Sequence, residues 1–160
     1  MKTNEEGIIM DACISKCQQY RYWLSRVWDV EKPLIMYIGL NPSTADAEKD
    51  DPTITRMIGF AKGWGYGGMI VTNLFAYRAT SPTDMFNAAE PVGIDNDHHI
   101  RMQYGKCHTV VFCWGVNGYY KDRNKMVSSF FPHAQCFGTT INGYPKHPLY
   151  LKSDTQLVKY

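Results

Sequence analysis

The apolar run from Leu34 to Ile38 ends abruptly at Gly39-Leu40-Asn41-Pro42-Ser43, and no other segment constrains the fold as strongly. A short apolar run that stops at Gly, Asn and Pro is typical of a buried β-strand. In an open α/β sheet, ligands bind in the crevice beyond the carboxyl ends of such strands. The amide of Asn41 is therefore placed to hold a water molecule or to read a planar base. The alternative is a plain turn, because Asn-Pro is also common turn chemistry.

Further apolar runs alternate with helical patterns along the chain. Core strands are predicted over Met69–Leu74, Thr109–Trp114 and Ala134–Gly138. Helices are predicted from Asp51-Pro52, from Ser81-Pro82, over Asp95–Tyr104 and over Tyr119–Phe130. This alternation predicts an α/β fold, a three-layer sandwich with a mainly parallel central sheet covered on both faces.

Two β-rich stretches, Gly7–Ser15 and Tyr20–Trp28, precede the first core strand. They predict an N-terminal β-hairpin added to the main sheet, with a short helix over Gln18–Trp28 as the alternative. A chain of 160 residues without a linker, repeat or low-complexity tract fits a single domain over residues 1–160.

Composition excludes several classes of protein. Hydrophobic residues make up 44% and charged residues 20%, which is typical of a globular domain. The five cysteines show no C-x-x-C spacing, which favours reduced thiols in a cytoplasmic protein, and no metal or cofactor is predicted. No apolar stretch reaches the length of a membrane-spanning helix, so no membrane partner is expected. The net charge of +2 is weak for a protein that grips duplex DNA.

Acidic residues crowd the segment after the Asn-Pro turn, at Asp46, Glu48, Asp50 and Asp51. One interpretation is a solvated acidic loop that ends with Asp51 as a helix cap. The other is a divalent-cation site on Asp46, Asp50 and Asp51, which would favour metal-dependent phosphoryl transfer.

Four short motifs follow one another along the chain at predicted strand ends: Gly39–Pro42, Val71–Leu74, Val110–Gly115 and His147–Leu149. This succession resembles the motifs of the uracil-DNA glycosylase superfamily, in the Asn-Pro form of its mismatch-specific and thymine-DNA branches. Most of the chain, roughly Tyr20 to Leu151, more closely resembles a bacterial and phage family, domain of unknown function 1643. The first resemblance implies a uracil-DNA glycosylase-like fold and a role in DNA modification or repair.

The superfamily resemblance also implies roles for single residues. Asn41 would position the attacking water, Asn73 would hydrogen-bond the base edge, and His147 would stabilise negative charge on the departing base. Because an amide cannot remove a proton, Asp51 is the candidate for the missing base. Candidate substrate-binding residues are also found beside these motifs: Ser43, Phe75, Tyr77, Arg78 and Tyr150.

The function expected from these residues is an N-glycosidase-like hydrolase that cleaves the base–sugar bond of a modified pyrimidine. The acidic segment and the few residues after Leu151 favour single-stranded or flipped DNA, or a free nucleotide, over intact duplex. Leu149, Tyr150 and Leu151 form either an apolar wedge or part of the core. The alternative function is a module that binds a nucleobase, a nucleotide or nucleic acid without chemistry.

Overall fold

The computed structural model describes residues 1–160, and its eight strands form one sheet. The strands are β1 (Lys2–Thr3), β2 (Ile9–Ile14), β3 (Arg21–Val27), β4 (Leu34–Gly39), β5 (Gly68–Asn73), β6 (Thr109–Phe112), β7 (Gln135–Cys136) and β8 (Val158–Lys159). Their order across the sheet is β1-β2-β3-β5-β4-β6-β7-β8. None of the helices combines the length and the apolar character needed to cross a membrane.

The sheet is mixed, so the prediction of a mainly parallel sheet is wrong. Strands β5, β4, β6 and β7 pair in parallel at the centre. The other four pairings are antiparallel: β1 with β2, β2 with β3, β3 with β5, and β7 with β8. The pairs β1–β2 and β2–β3 are antiparallel because each is a hairpin that reverses direction within a few residues, whereas β3–β5 and β7–β8 join segments that are distant in sequence. The predicted N-terminal hairpin is confirmed as β2 and β3.

Helices cover both faces of the sheet. They are α1 (Pro52–Gly63), α2 (Pro82–Asn87), α3 (Asn96–Tyr104) and α4 (Arg123–Phe130). Along β4, Ile35 and Tyr37 join the core beneath α1, whereas Met36 and Ile38 join the core beneath α2, α3 and α4. Successive side chains of a strand point to opposite faces, so an entirely apolar strand is the one buried on both sides.

Local signals place most helix starts correctly. The side chain of Asp51 caps α1 by accepting a hydrogen bond from the N–H of Ile54 at 2.9 Å, and Pro52 occupies the first turn. The helix predicted over Tyr119–Phe130 is shorter, because α4 begins only at Arg123. Lys121 and Asp122, with φ of 54° and 55°, adopt left-handed conformations that interrupt a helix before that point.

Candidate functional site

A cleft of about 570 Å³ opens at the carboxyl ends of the parallel strands β4, β5 and β6. Its walls are the loop after β4, the first turn of α1, the end of β5 and the segment after β6. Loop hydrogen bonds extend the β4–β5 pairing beyond the strands, from Leu74 N–H to Gly39 C=O at 2.9 Å and from Phe75 N–H to Leu40 C=O at 3.0 Å. The two strand ends are therefore held side by side at the floor of the cleft.

Five of the predicted site residues line this one cleft: Asn41, Ser43, Asp51, Asn73 and His147. They come from segments that are distant in sequence. The segment before His147 is drawn in by a hydrogen bond from the N–H of Gly115 to the carbonyl of Pro145, at 2.9 Å. The end of β6 thus anchors the His147 loop to the rest of the cleft.

The amide of Asn41 is fixed in one orientation. Its Nδ2 donates to the carbonyl of Ala79 at 2.9 Å and to that of Pro42 at 3.1 Å. Its Oδ1 has no partner within the protein, so it is free to accept a hydrogen bond from water or from a ligand.

The side chain of Asn73 lies at the inner wall, with only 3% of the residue exposed. Its Nδ2 is buried without a hydrogen-bond partner, and its Oδ1 bonds to no other residue either. A Cβ added at Gly39 would lie 2.8 Å from this Oδ1, so the glycine leaves the space that the amide occupies. Both polar atoms of the Asn73 side chain are therefore without a partner in the protein.

His147 lies at the exposed rim of the cleft. Its Nδ1 accepts a hydrogen bond from the backbone N–H of Leu149 at 3.2 Å, so the neutral ring carries its proton on Nε2. Desolvation by the surrounding protein lowers the pKa of His147, although the carboxylate of Asp51 opposes this shift. At neutral pH the ring is an uncharged donor through Nε2.

The carboxylates of the acidic segment have separate structural partners. Asp51 caps α1, and Asp46 accepts hydrogen bonds from the N–H groups of Glu48 and Lys49 at 2.8 and 2.9 Å. These bonds, led by that from Glu48, hold the pKa of Asp46 below its ordinary value. Asp50 pairs with the guanidinium of Arg26, Oδ1 to Nε, at 2.8 Å. No group of three or more His, Cys, Asp or Glu side chains is arranged to hold a metal ion. Asp46, Asp50 and Asp51 therefore each have a hydrogen-bond partner within the protein.

Two cleft residues were missed at the level of sequence, Arg21 and Trp114. Both line the cleft, and the Arg21 Nε and Trp114 Nε1 atoms are buried without hydrogen-bond partners. For Arg21, the available signal was its place inside a β-rich, partly apolar stretch, because arginine is rarely fully buried unless it is paired. For Trp114, the signal was its place at the end of an apolar strand, directly before Gly115.

Four other predicted binding residues lie outside the cleft. Phe75 is fully buried in the core beneath α2, and Tyr77 packs edge-on against Tyr20 with ring centroids 5.8 Å apart. Arg78 lines a neighbouring groove and donates to the carbonyl of Ser43 at 3.5 Å. Tyr150 is 94% exposed, whereas the next residue, Leu151, packs against the core beneath α1.

The chain belongs to the family described as "Protein of unknown function (DUF1643)", whose model matches residues 21–149. The match includes the cleft residues from Arg21 to Leu149. No curated protein and no solved structure matches the chain.

Proposed function

We propose that the cleft binds a pyrimidine nucleotide and hydrolyses its base–sugar bond, in the manner of the uracil-DNA glycosylase superfamily. The observation that carries this proposal is that two residues lining the same cleft each have a buried donor without a partner, Arg21 Nε and Asn73 Nδ2. A buried donor left unsatisfied costs about 1–3 kcal/mol, so two such residues beside one cleft favour a ligand rich in acceptors. A nucleotide, with carbonyl and phosphate oxygens, is such a ligand.

The amide of Asn73 is suited to the edge of a pyrimidine base. Its free donor and free acceptor complement the adjacent C=O and N–H of a uracil-like ring. A cleft of about 570 Å³ is within the range of small-molecule sites. The same amide rotated by 180° would pair with cytosine, so the choice of a uracil-like or related modified pyrimidine rests on the resemblance to the superfamily.

The proposed reaction divides between three side chains. The bond between base and sugar breaks with its electron pair moving to the base, and the Nε2–H of His147 stabilises the resulting charge on a base oxygen. Asn41 Oδ1 orients the water whose oxygen bonds to the sugar carbon. Asp51, whose Oδ1 already caps α1, is the candidate acceptor for the proton that this water loses. The neutral His147 is suited to its part, because its Nε2 proton is fixed by the bond at Nδ1.

Base release tests the reaction directly. The protein is incubated with uracil-containing or oxidised single-stranded DNA and with the corresponding free nucleotides, and released base is quantified by liquid chromatography. We expect Asn41→Ala and His147→Ala each to lower the rate by about 100-fold or more. Matched controls are Asn87→Ala and His133→Ala, which change exposed residues outside the cleft and are expected to leave the rate unchanged. Equal rates for cleft variants and controls would exclude these roles.

A second candidate function is binding without hydrolysis. It is favoured by one observation: the Asp51 carboxylate is already engaged as a helix cap, which weakens it as a general base. In this case the wild-type protein binds the nucleotide or a single-stranded DNA but releases no base. The two functions share the cleft and differ only in that measurement.

Gly39→Ala tests the base-reading role of Asn73 without changing Asn73 itself. The added methyl would lie 2.8 Å from Asn73 Oδ1 and displace the amide, so we expect nucleotide affinity to fall by about tenfold. Gly59→Ala is the matched control, since a Cβ there meets no atom within 4 Å. Gly59 lies within α1, so this control should retain affinity and gain about 0.5–1 kcal/mol of stability. Unchanged affinity in Gly39→Ala would remove Asn73 as the base reader.

A further inference from the structure

We propose that Arg21 is a phosphate-binding residue of the cleft, so that the ligand enters as a phosphorylated nucleotide and not as a nucleoside or free base. The identity of the base rests on the function proposed above, whereas the anion site stands on the contacts of Arg21 alone.

The guanidinium of Arg21 is buried and almost without partners. The residue is 3% exposed, and the single hydrogen bond of its guanidinium runs from Nη1 to the carbonyl of Ala45 at 3.1 Å. Its Nε is buried with no partner, and no carboxylate lies within 4.0 Å. Buried charges in proteins are normally paired or hydrogen-bonded throughout. An anion in the cleft would supply the negative charge and the hydrogen-bond acceptors that Arg21 does not find within the protein.

The electrostatic surroundings leave Arg21 positively charged and short of a counterion. Burial lowers its pKa to about 10, with Asp51 opposing that shift and the nearby Arg78 and Arg26 adding to it. The group therefore remains protonated at neutral pH. Arg26 is already neutralised by Asp50, while Arg78 has no carboxylate partner. Arg21 is therefore the one arginine or lysine that lines the cleft, and no carboxylate pairs with it.

Neighbouring donors extend the anion site toward α1. The hydroxyl-bearing Ser43, Thr44 and Thr53 line the same cleft, and Thr44 precedes the carbonyl that anchors Arg21. The first turn of the 12-residue helix α1, at Thr53, adds the partial positive charge of a helix N-terminus. Asp51 is the one negative side chain there, and its Oδ1 is turned to the N–H of Ile54. Several donors around one guanidinium fit the many oxygens of a phosphate.

Binding experiments separate the phosphate from the base. Calorimetry compares deoxyuridine, deoxyuridine 5′-monophosphate, a thymidine dinucleotide with a phosphodiester, and inorganic phosphate as a probe independent of the base. We expect the monophosphate to bind about tenfold or more tightly than the nucleoside, and inorganic phosphate to raise the melting temperature of the wild type. The monophosphate and the dinucleotide distinguish a free nucleotide from a strand as the source of the phosphate.

Variants of Arg21 test whether this residue causes the preference for the monophosphate. We expect Arg21→Gln to lose both the preference for the monophosphate and the stabilisation by inorganic phosphate, with Arg21→Lys retaining part of each. Arg78→Gln is the matched control, because Arg78 lies outside the cleft, and it should keep the preference. Circular dichroism verifies folding, and Arg21→Met provides a second uncharged variant if Arg21→Gln does not fold.

The inference is wrong if wild-type protein binds nucleoside and monophosphate equally, or if Arg21→Gln keeps the preference while Arg78→Gln loses it. The absence of any stabilisation by inorganic phosphate in the wild type also counts against it. A wild type that prefers the monophosphate but releases no base removes only the hydrolysis proposed above. The two failures are therefore distinguishable.

Discussion

The two arginines of β3 are both buried, yet their surroundings differ completely. Arg26 donates to the Asp50 carboxylate at 2.8 Å and to the carbonyls of Ser25 and Asp46 at 2.8 and 2.5 Å. Arg21, at the other end of the strand, donates to one carbonyl and faces the cleft. Burial removes water from both, but only Arg26 recovers the lost hydrogen bonds within the protein. The comparison separates an arginine that is fully hydrogen-bonded within the fold from one whose donors are mostly without partners.

The hydrogen bonds of Arg26 hold the acidic segment in place. Asp46 and Asp50, which as sequence resembled a cation site, are held by Arg26 and by backbone N–H groups instead. This fixes the loop that leads into α1 and therefore one wall of the cleft. Arg26, at one end of β3, thus positions a wall of the cleft, and Arg21, at the other end, contributes a positive charge to the cleft.

The largest expected effect comes from removing each arginine in turn. Arg26→Gln leaves several carbonyls and Asp50 without a donor, so we expect a loss of about 2–4 kcal/mol in the free energy of unfolding. Arg21→Met removes an unpaired buried charge, so the unliganded protein should be as stable as the wild type or more stable. Urea denaturation measures both variants. Equal losses would show that Arg21 is as fully compensated as Arg26, and the comparison would fail.

A smaller effect concerns the link between the acidic segment and the cleft. Asp51→Ala removes the side-chain cap of α1 and should cost about 1 kcal/mol of stability. Asp95 is the matched control, because it precedes α3 without making a side-chain cap hydrogen bond. Its replacement by Ala should cost only a few tenths of a kcal/mol by urea denaturation. If Asp51→Ala costs no more than Asp95→Ala, the cap contributes little and the carboxylate is freer for chemistry than its contacts suggest.

The smallest effect is on the pH dependence of stability. Burial lowers the pKa of His147 in the cleft and of His99, which stacks on Tyr22 at 4.6 Å, below the ordinary 6.5. The unfolded chain therefore binds protons first as the pH falls through 6.5, so the folded state loses stability below that pH. We expect the melting temperature to fall in this range, and His147→Asn and His99→Phe each to reduce the fall. The lowered pKa of Asp46 acts at a lower pH, below its ordinary 3.8.

Much of the chain could be predicted from local sequence. The cap and proline at Asp51-Pro52, the apolar strands and the hairpin were predictable because each depends on residues close together in the chain. The antiparallel flanks were not, because β3 joins β5 and β8 joins β7 through contacts between distant segments. The break at Lys121 and Asp122 was also missed, since lysine does not signal a left-handed backbone and aspartate adopts one only occasionally.

The candidate site divides in the same way. Asn41 was predicted from its place directly after an apolar strand, whereas Asn73 and His147 were predicted through the resemblance of their segments to superfamily motifs; all three line the cleft. Phe75 and Tyr77 were predicted as ring-stacking residues from position only, and packing placed them in the core and against Tyr20. Aromatic residues beside a motif are as suitable for a core as for a ligand, so sequence could not separate the two.

The sequence by itself determined where strands stop, where helices start and which polar residues stand at those junctions, because these depend on backbone geometry and near neighbours. Only the tertiary structure decided which of those residues share a cleft and which arginine of β3 finds a carboxylate. The pairing of Arg26 with Asp50, and the isolation of Arg21, depend on how the loop after β4 folds back over β3. Hydrogen-bond satisfaction is a property of the assembled fold, so the unpaired donors of the cleft become visible only there.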